Sequence, residues 1–221
     1  MDIYHVLNRG VDKRNIFLDT ADHARFVHDL FEFNDQKPAG STYYSFLKSD
    51  LKNNKKVKDK ELLVDIHSWC LMKNHYHLLI SERTEGGLTK FIRKLNIGYA
   101  KYFNEKYVRS GTLFQGRTKK ILVDSDAHFL FIIHYIHLNP LDFLGNEKEW
   151  RKYKIKNVER AISYLYEYRW SSFLDYCGEE NFPSILQKRL YQSVFQNYKK
   201  EISEYVRDLT VTSIDQSMLL E

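Results

Sequence analysis

With 221 residues, 43% of them apolar and 16 tyrosines and 14 phenylalanines among them, the chain can bury one sizeable core, which argues against disorder. Lys and Arg outnumber Asp and Glu by 34 to 29, an excess that suits a polyanionic partner without demanding one. Two distant cysteines, Cys70 and Cys177, exclude a disulfide framework and a paired-cysteine zinc site; with no leader-like segment and no apolar run of membrane length, a cytoplasmic protein with no membrane partner is expected.

Ile3 to Leu7 favours β-branched and aromatic types and predicts a first strand, ended by Asn8-Arg9-Gly10. Arg9 beside that glycine can approach a phosphate, although an isolated arginine at a strand end is more often simply solvated. Asp19 to Asp22 offers an N-cap, and Phe26, Val27, Leu30 and Phe31 give a first helix its helical spacing. Residues 35–61 have loop composition, and Lys52 to Lys60 is a basic run whose plainest reading is a solvated loop. Met72-Lys73-Asn74 then breaks two apolar runs, so 62–71 and 75–81 read as an antiparallel hairpin.

Gly86-Gly87 makes a turn into a helix over 88–103, whose exposed face carries Lys90, Arg93, Lys94 and Lys101. A loop with Arg109 and Gly111 leads to a strand ending at Val123 and opening on Arg117, Lys119 and Lys120. Asp124-Ser125-Asp126 caps a helix from about Ala127 to Leu138, and Pro140 sets its end. Beyond Glu147, residues 155–168 are partly helical, 169–173 return to the core, 184–209 form one or two amphipathic helices, and 210–221 fray.

Two pairs of residues stand out. His75 and His77, at i and i+2 on a strand, project from one face and can hold one divalent metal; they can equally be ordinary histidines of a half-buried strand. Tyr135 and Asn139, at i and i+4, share a helix face one turn apart, where a core tyrosine and a C-capping asparagine are the plain alternative. His134 and His137 lie off that face and read as packing or surface residues, and His128 also lies near the tyrosine.

The ordered motifs Tyr4-His5-Val6 with Asn8-Arg9-Gly10, Met72-x-Asn74-His75-x-His77, Tyr102-Phe103-Asn104, Arg109-x-Gly111-x-Leu113-Phe114-Gln115-Gly116-Arg117, Tyr135 to Pro140, and Arg169-Trp170-Ser171-Ser172 resemble the HUH single-strand endonucleases with one tyrosine. Within them the likeness is to the REP-associated tyrosine transposases and their insertion-sequence relatives. The resemblance implies His75, His77 and Asn139 as ligands of Mg²⁺ or Mn²⁺ and Tyr135 as a nucleophile forming a 5′-phosphotyrosine. It also implies single-stranded DNA hairpins of repetitive elements as substrate, cleaved and rejoined, by a monomer or a homodimer. DNA contacts are expected from Arg9, Arg93, Lys94, Arg109, Arg117, Lys119 and Lys120. Two departures show: Lys73 stands where many relatives have proline, and residues 35–61 are longer than the usual connection.

The expected architecture is an α/β (α+β) sandwich, a central, mostly antiparallel, ferredoxin-like sheet with helices packed on it. A catalytic domain is expected over 1–145, including the basic insert 35–61, and a mostly helical extension over 146–221. A replication initiator or relaxase of the same superfamily, or an inactive hairpin-binding descendant, are the rival functions.

Overall fold

The computed structural model describes residues 2–39, 60–144, 150–151, 155 and 157–208, so most of the basic insert and the final segment lie outside the described residues. Four strands form one sheet in the order β2-β3-β1-β4: β1 (Ile3–Arg9), β2 (Val64–Met72), β3 (His75–Glu82) and β4 (Lys119–Val123). Every neighbouring pair is antiparallel. The expected ferredoxin-like sheet is therefore present, and it is wholly antiparallel. The hairpin turn falls at Lys73-Asn74, where the sequence breaks its apolar pattern. This turn is pinned from outside: Gly10 N donates to Asn74 O at 2.8 Å and Ile16 N to Lys73 O at 2.8 Å.

Alternation along the strands decides what each face meets. Tyr76 points to the face covered by α1 (Thr20–Glu32) and α2 (Gly87–Lys106), where its ring lies 5.0 Å from that of Phe26 and its hydroxyl donates to Asn96 at 2.8 Å. His75 and His77 point to the opposite face, covered by α3 (Asp126–Leu138). α1 starts where the sequence predicts, on an Asp19–Asp22 capping box, and α3 starts on the Ser125 side chain. A bulge between Ile66 and Ser68 re-phases β2, so that His67 joins the α3 face and bonds Ser81 at 2.7 Å.

The C-terminal part packs into this same core through α4 (Val158–Glu167), α5 (Phe173–Tyr176), α6 (Lys188–Val194) and α7 (Tyr198–Asp208). Residues 169–173 do return to the sheet: Ser171 bridges Cys70, and Leu71 N donates to Trp170 O at 2.9 Å. The predicted single and divided readings of 184–209 resolve into two helices. Among the described residues no helix is long and apolar enough to cross a membrane.

The contact of α1 with α2 depends on a missing side chain. A Cβ at Gly98 would lie 2.3 Å from the Phe33 ring, closer than any real contact. Gly98→Val should therefore destabilise the fold by about 2 kcal/mol or more in urea unfolding, and Phe33→Leu should recover part of that loss in the double variant.

Candidate active site

The register of β1 on β3 sets His77 opposite Leu7 and His75 opposite Arg9, and puts His5 one step along the same face. His5 Nε2 and His77 Nδ1 are 2.9 Å apart, with the rings stacked. His75 Nδ1 lies 2.6 Å from Asn74 Oδ1. An amide oxygen only accepts, so His75 carries its proton on Nδ1, and Nε2 presents a lone pair. When His77 donates its Nδ1 proton to His5, its Nε2 does the same.

Both Nε2 atoms are buried without a partner in the described structure. Both rings stay neutral. Burial first, then the Arg9 and Arg151 charges, push His75 down to about 3, against a slight opposing effect of Asp142. Burial, followed by the other two histidines and then the same arginines, holds His77 well below the ordinary imidazole value. Two neutral, preoriented nitrogens with unused lone pairs are what a metal ligand pair requires.

α3 brings Tyr135 against this pair from the same chain. Its ring centre is 5.7 Å from that of His77 and 6.1 Å from that of His5, edge to face in both cases, and only 3% of the residue is exposed. Asn139, one turn later, is fully buried and opens a 3₁₀ turn, Asn139–Phe143. Its Nδ2 donates to the Tyr135 carbonyl at 2.8 Å, so it does cap the helix. Its Oδ1 accepts from Arg151 at 2.8 Å, which leaves a second lone pair on that oxygen for a cation. His75, His77 and the Asn139 oxygen could thus hold a divalent ion; among the described residues no group of three His, Cys, Asp or Glu forms such a site.

Residues 42–139, from within the insert to Asn139, match the family model described as "Transposase IS200 like". Over this stretch the chain is similar to the IS200-like transposases. The match contains both the His-x-His strand and the Tyr-x-x-x-Asn helix end. A solved structure of a REP-associated tyrosine transposase bound to a REP hairpin is also similar, at 13% identity over 86% of this chain and 87% of that one, with a TM-score of 0.49. No curated protein matches.

The predicted DNA contacts divide into three groups. Arg9, Arg117 and Lys119 line a hollow of about 340 Å³ with Lys13 and Gln115, on the side of the sheet edge nearest His75. Arg93, Arg117 and Lys120 rim a second groove of about 500 Å³ between α2 and β4, floored by Val6, Leu88, Ile92 and Phe114. Lys94 and Arg109 are instead engaged by the protein. The Lys94 ammonium donates to the Asp35 and Lys37 carbonyls at 2.6 and 2.9 Å, and Arg109 ties Asn104 to Thr112.

The sequence reading gave no role to His5, Asn74 or Arg151. Strand alternation from Arg9 back to His5 could have flagged the first, and adjacency to His75 the second; nothing local marks Arg151. His134 and His137 are packing residues, as expected. His137 bonds the Tyr198 hydroxyl at 2.6 Å and Ser172 Oγ at 2.7 Å, and His134 lies 3.3 Å from the same Tyr198 hydroxyl.

This density of buried neutral imidazoles has a consequence for stability. Burial lowers His5 and His75 to about 3 and His67 and His134 to about 4, while the unfolded chain protonates near 6.5. Below pH 6.5 protons therefore go to the unfolded state, and each ring withdraws about 1.4 kcal/mol per pH unit until its own folded value is reached. Urea midpoints measured with chelator present should fall steeply from pH 6.5 to 4.5 and stay flat, as far as these rings are concerned, from pH 7 to 8.

Proposed function

We propose that this protein is a tyrosine transposase of the REP-associated type, which cleaves and rejoins single-stranded DNA at hairpin-containing repeats. The observation that carries the reading is the approach of Tyr135 to His77 beside two buried, unpaired imidazole nitrogens. Burying an unpartnered polar nitrogen costs free energy, and these two lie side by side on one strand face against Tyr135, where a bound cation would satisfy both. The match to the IS200-like transposases supports the same reading from the sequence.

In this reaction the Tyr135 oxygen attacks the scissile phosphorus, and the bond from phosphorus to the 3′ oxygen breaks. The phenolic proton is lost and the 3′ oxygen gains one, so a 5′-phosphotyrosine and a free 3′-hydroxyl result. Because the intermediate is still a phosphate diester, a 3′-hydroxyl can attack it in turn, releasing Tyr135 and rejoining the strand. His75, His77 and Asn139 would hold a Mg²⁺ or Mn²⁺ ion, which when bound supplies positive charge and a fixed orientation for the phosphate. His5 and Asn74 set the tautomers of the two histidines. The buried edge-to-face packing of Tyr135 fixes the direction from which its oxygen reaches a phosphate.

The DNA path runs over the exposed cations Arg117, Lys119 and Lys120 at the β4 edge, with Arg93 across the groove. Phe114, on the floor of that groove, offers an aromatic surface to an unpaired base.

Two experiments test the reading. A denaturing gel of the protein with a labelled pool of single-stranded hairpin oligonucleotides should show a covalent band with Mn²⁺ and none with chelator. The band should vanish in Tyr135→Phe and in His75→Ala; noncovalent binding without any band would identify an inactive hairpin-binding descendant. For the DNA path, Ala at Arg93, Arg117 or Lys120 should weaken hairpin binding and reduce the slope of log K against log salt by about 1 each. Ala at Lys94 or Arg109 should leave both nearly unchanged.

A further inference from the structure

Arg151 lies beyond the stretch matched to the IS200-like transposases, twelve residues after Asn139, yet its guanidinium enters the candidate site. Its Nη1 donates to the Tyr135 hydroxyl at 3.0 Å, and its Nη2 to Asn139 Oδ1 at 2.8 Å. The group is held from behind. Asp142 accepts from Nε at 3.1 Å and from Nη2 at 2.8 Å, and the Trp150 indole, itself donating to Asp142 at 2.7 Å, lies under the guanidinium at 4.5 Å.

A tie meant only to anchor this segment would be complete with the Asp142 pair and the Trp150 stack. The further contact is made to the one oxygen on which charge must develop. Because an arginine can only donate, the hydroxyl is the acceptor in this bond, so the contact strengthens as the oxygen becomes negative. A rigid, preoriented cation at such a position is an electrostatic stabiliser that needs no rearrangement when the reaction occurs. A lysine, a point donor without the planar fork, could not bond Tyr135 and Asn139 while also keeping the two-branched Asp142 pair and the stack on Trp150.

We propose that Arg151 is a further catalytic residue of this site, stabilising negative charge on the Tyr135 oxygen as it attacks the phosphate and again as it departs when strands are rejoined. Its second branch holds the Asn139 amide with the oxygen presented. The proposal rests on Tyr135 being the nucleophile, and it assigns part of the site to the C-terminal part of the chain. Asp142 and Trp150 are positioning residues, acting only through the guanidinium.

The test uses the full chain with hairpin oligonucleotides and Mn²⁺, comparing wild type, Arg151→Ala and Arg151→Lys. Arg151→Ala should slow covalent adduct formation at saturating DNA by about 100-fold, with hairpin affinity little changed, and should slow rejoining from preformed adduct similarly. Arg151→Lys should remain closer to Ala than to wild type. Added guanidinium ion at low concentration should restore part of the rate to Arg151→Ala, whereas urea should not, and neither should accelerate wild type. Thermal melts of the variants separate a folding defect from a lost catalytic group. A rate in Arg151→Ala within a few-fold of wild type would overturn this role alone, as would a loss that tracks the melting temperature and is not rescued by guanidinium. No adduct with wild-type protein would overturn the transposase reading and this role with it.

Discussion

The antiparallel register between β1 and β3 is the constraint on which the site depends. It places His5 beside His77, sets Arg9 opposite His75, and assigns all of them to the face that α3 covers. A slip of one residue would turn both unpartnered Nε2 atoms into the packed layer beneath α1 and α2, and Tyr76 would take their place. The register is protected on both sides. Tyr76 is fully buried against Phe26 and bonded to Asn96, and the hairpin turn is held by backbone bonds from Gly10 and Ile16. The stability of the layer under α1 and α2 thus fixes the geometry of the candidate site on the other face.

α3 is positioned by a second network, independent of the first. His137 stands between the two residues that face the site, and its ring is tied to Ser172 and Tyr198. These partners come from the return segment after residue 169 and from α7, so the C-terminal helices fix the helix that carries Tyr135. Tyr135 and Asn139 then follow from helical spacing alone. This explains how an almost wholly apolar helix can present two polar side chains at a defined place: the core on its other sides leaves it no freedom to rotate.

Much of this was legible before any coordinates, because the relevant signals are local. The hairpin shows in the polar break at Met72 to Asn74, the caps in Asp19 and Ser125, and the two site pairs in spacings of two and four. What was not legible depends on contacts between segments distant in sequence. Lys94 on an exposed helix face and Arg109 in a loop both read as DNA contacts, yet backbone carbonyls and Asn104 claim them. His67 reaches the α3 face only because a bulge shifts the phase of β2, and no composition rule marks that position. Arg151 lies in a stretch of mixed charge without periodicity, so only the folded chain shows it reaching Tyr135.

The charge balance of the site follows from these contacts. His75, His77 and Asn139 are neutral groups, so a divalent ion held by them would keep its full charge toward a phosphate. A lone arginine nearby would repel that ion, and a lone carboxylate would draw it away from the histidines. Arg151 and Asp142 avoid both outcomes by pairing, each side chain being 21% exposed. At His75 their effects are opposed, the arginine disfavouring protonation and the aspartate favouring it. The carboxylate opposes the arginine at His75, while at hydrogen-bond range Arg151 meets the Tyr135 oxygen directly. Such an arrangement lets one cation reach the Tyr135 oxygen while its carboxylate partner tempers its field at His75.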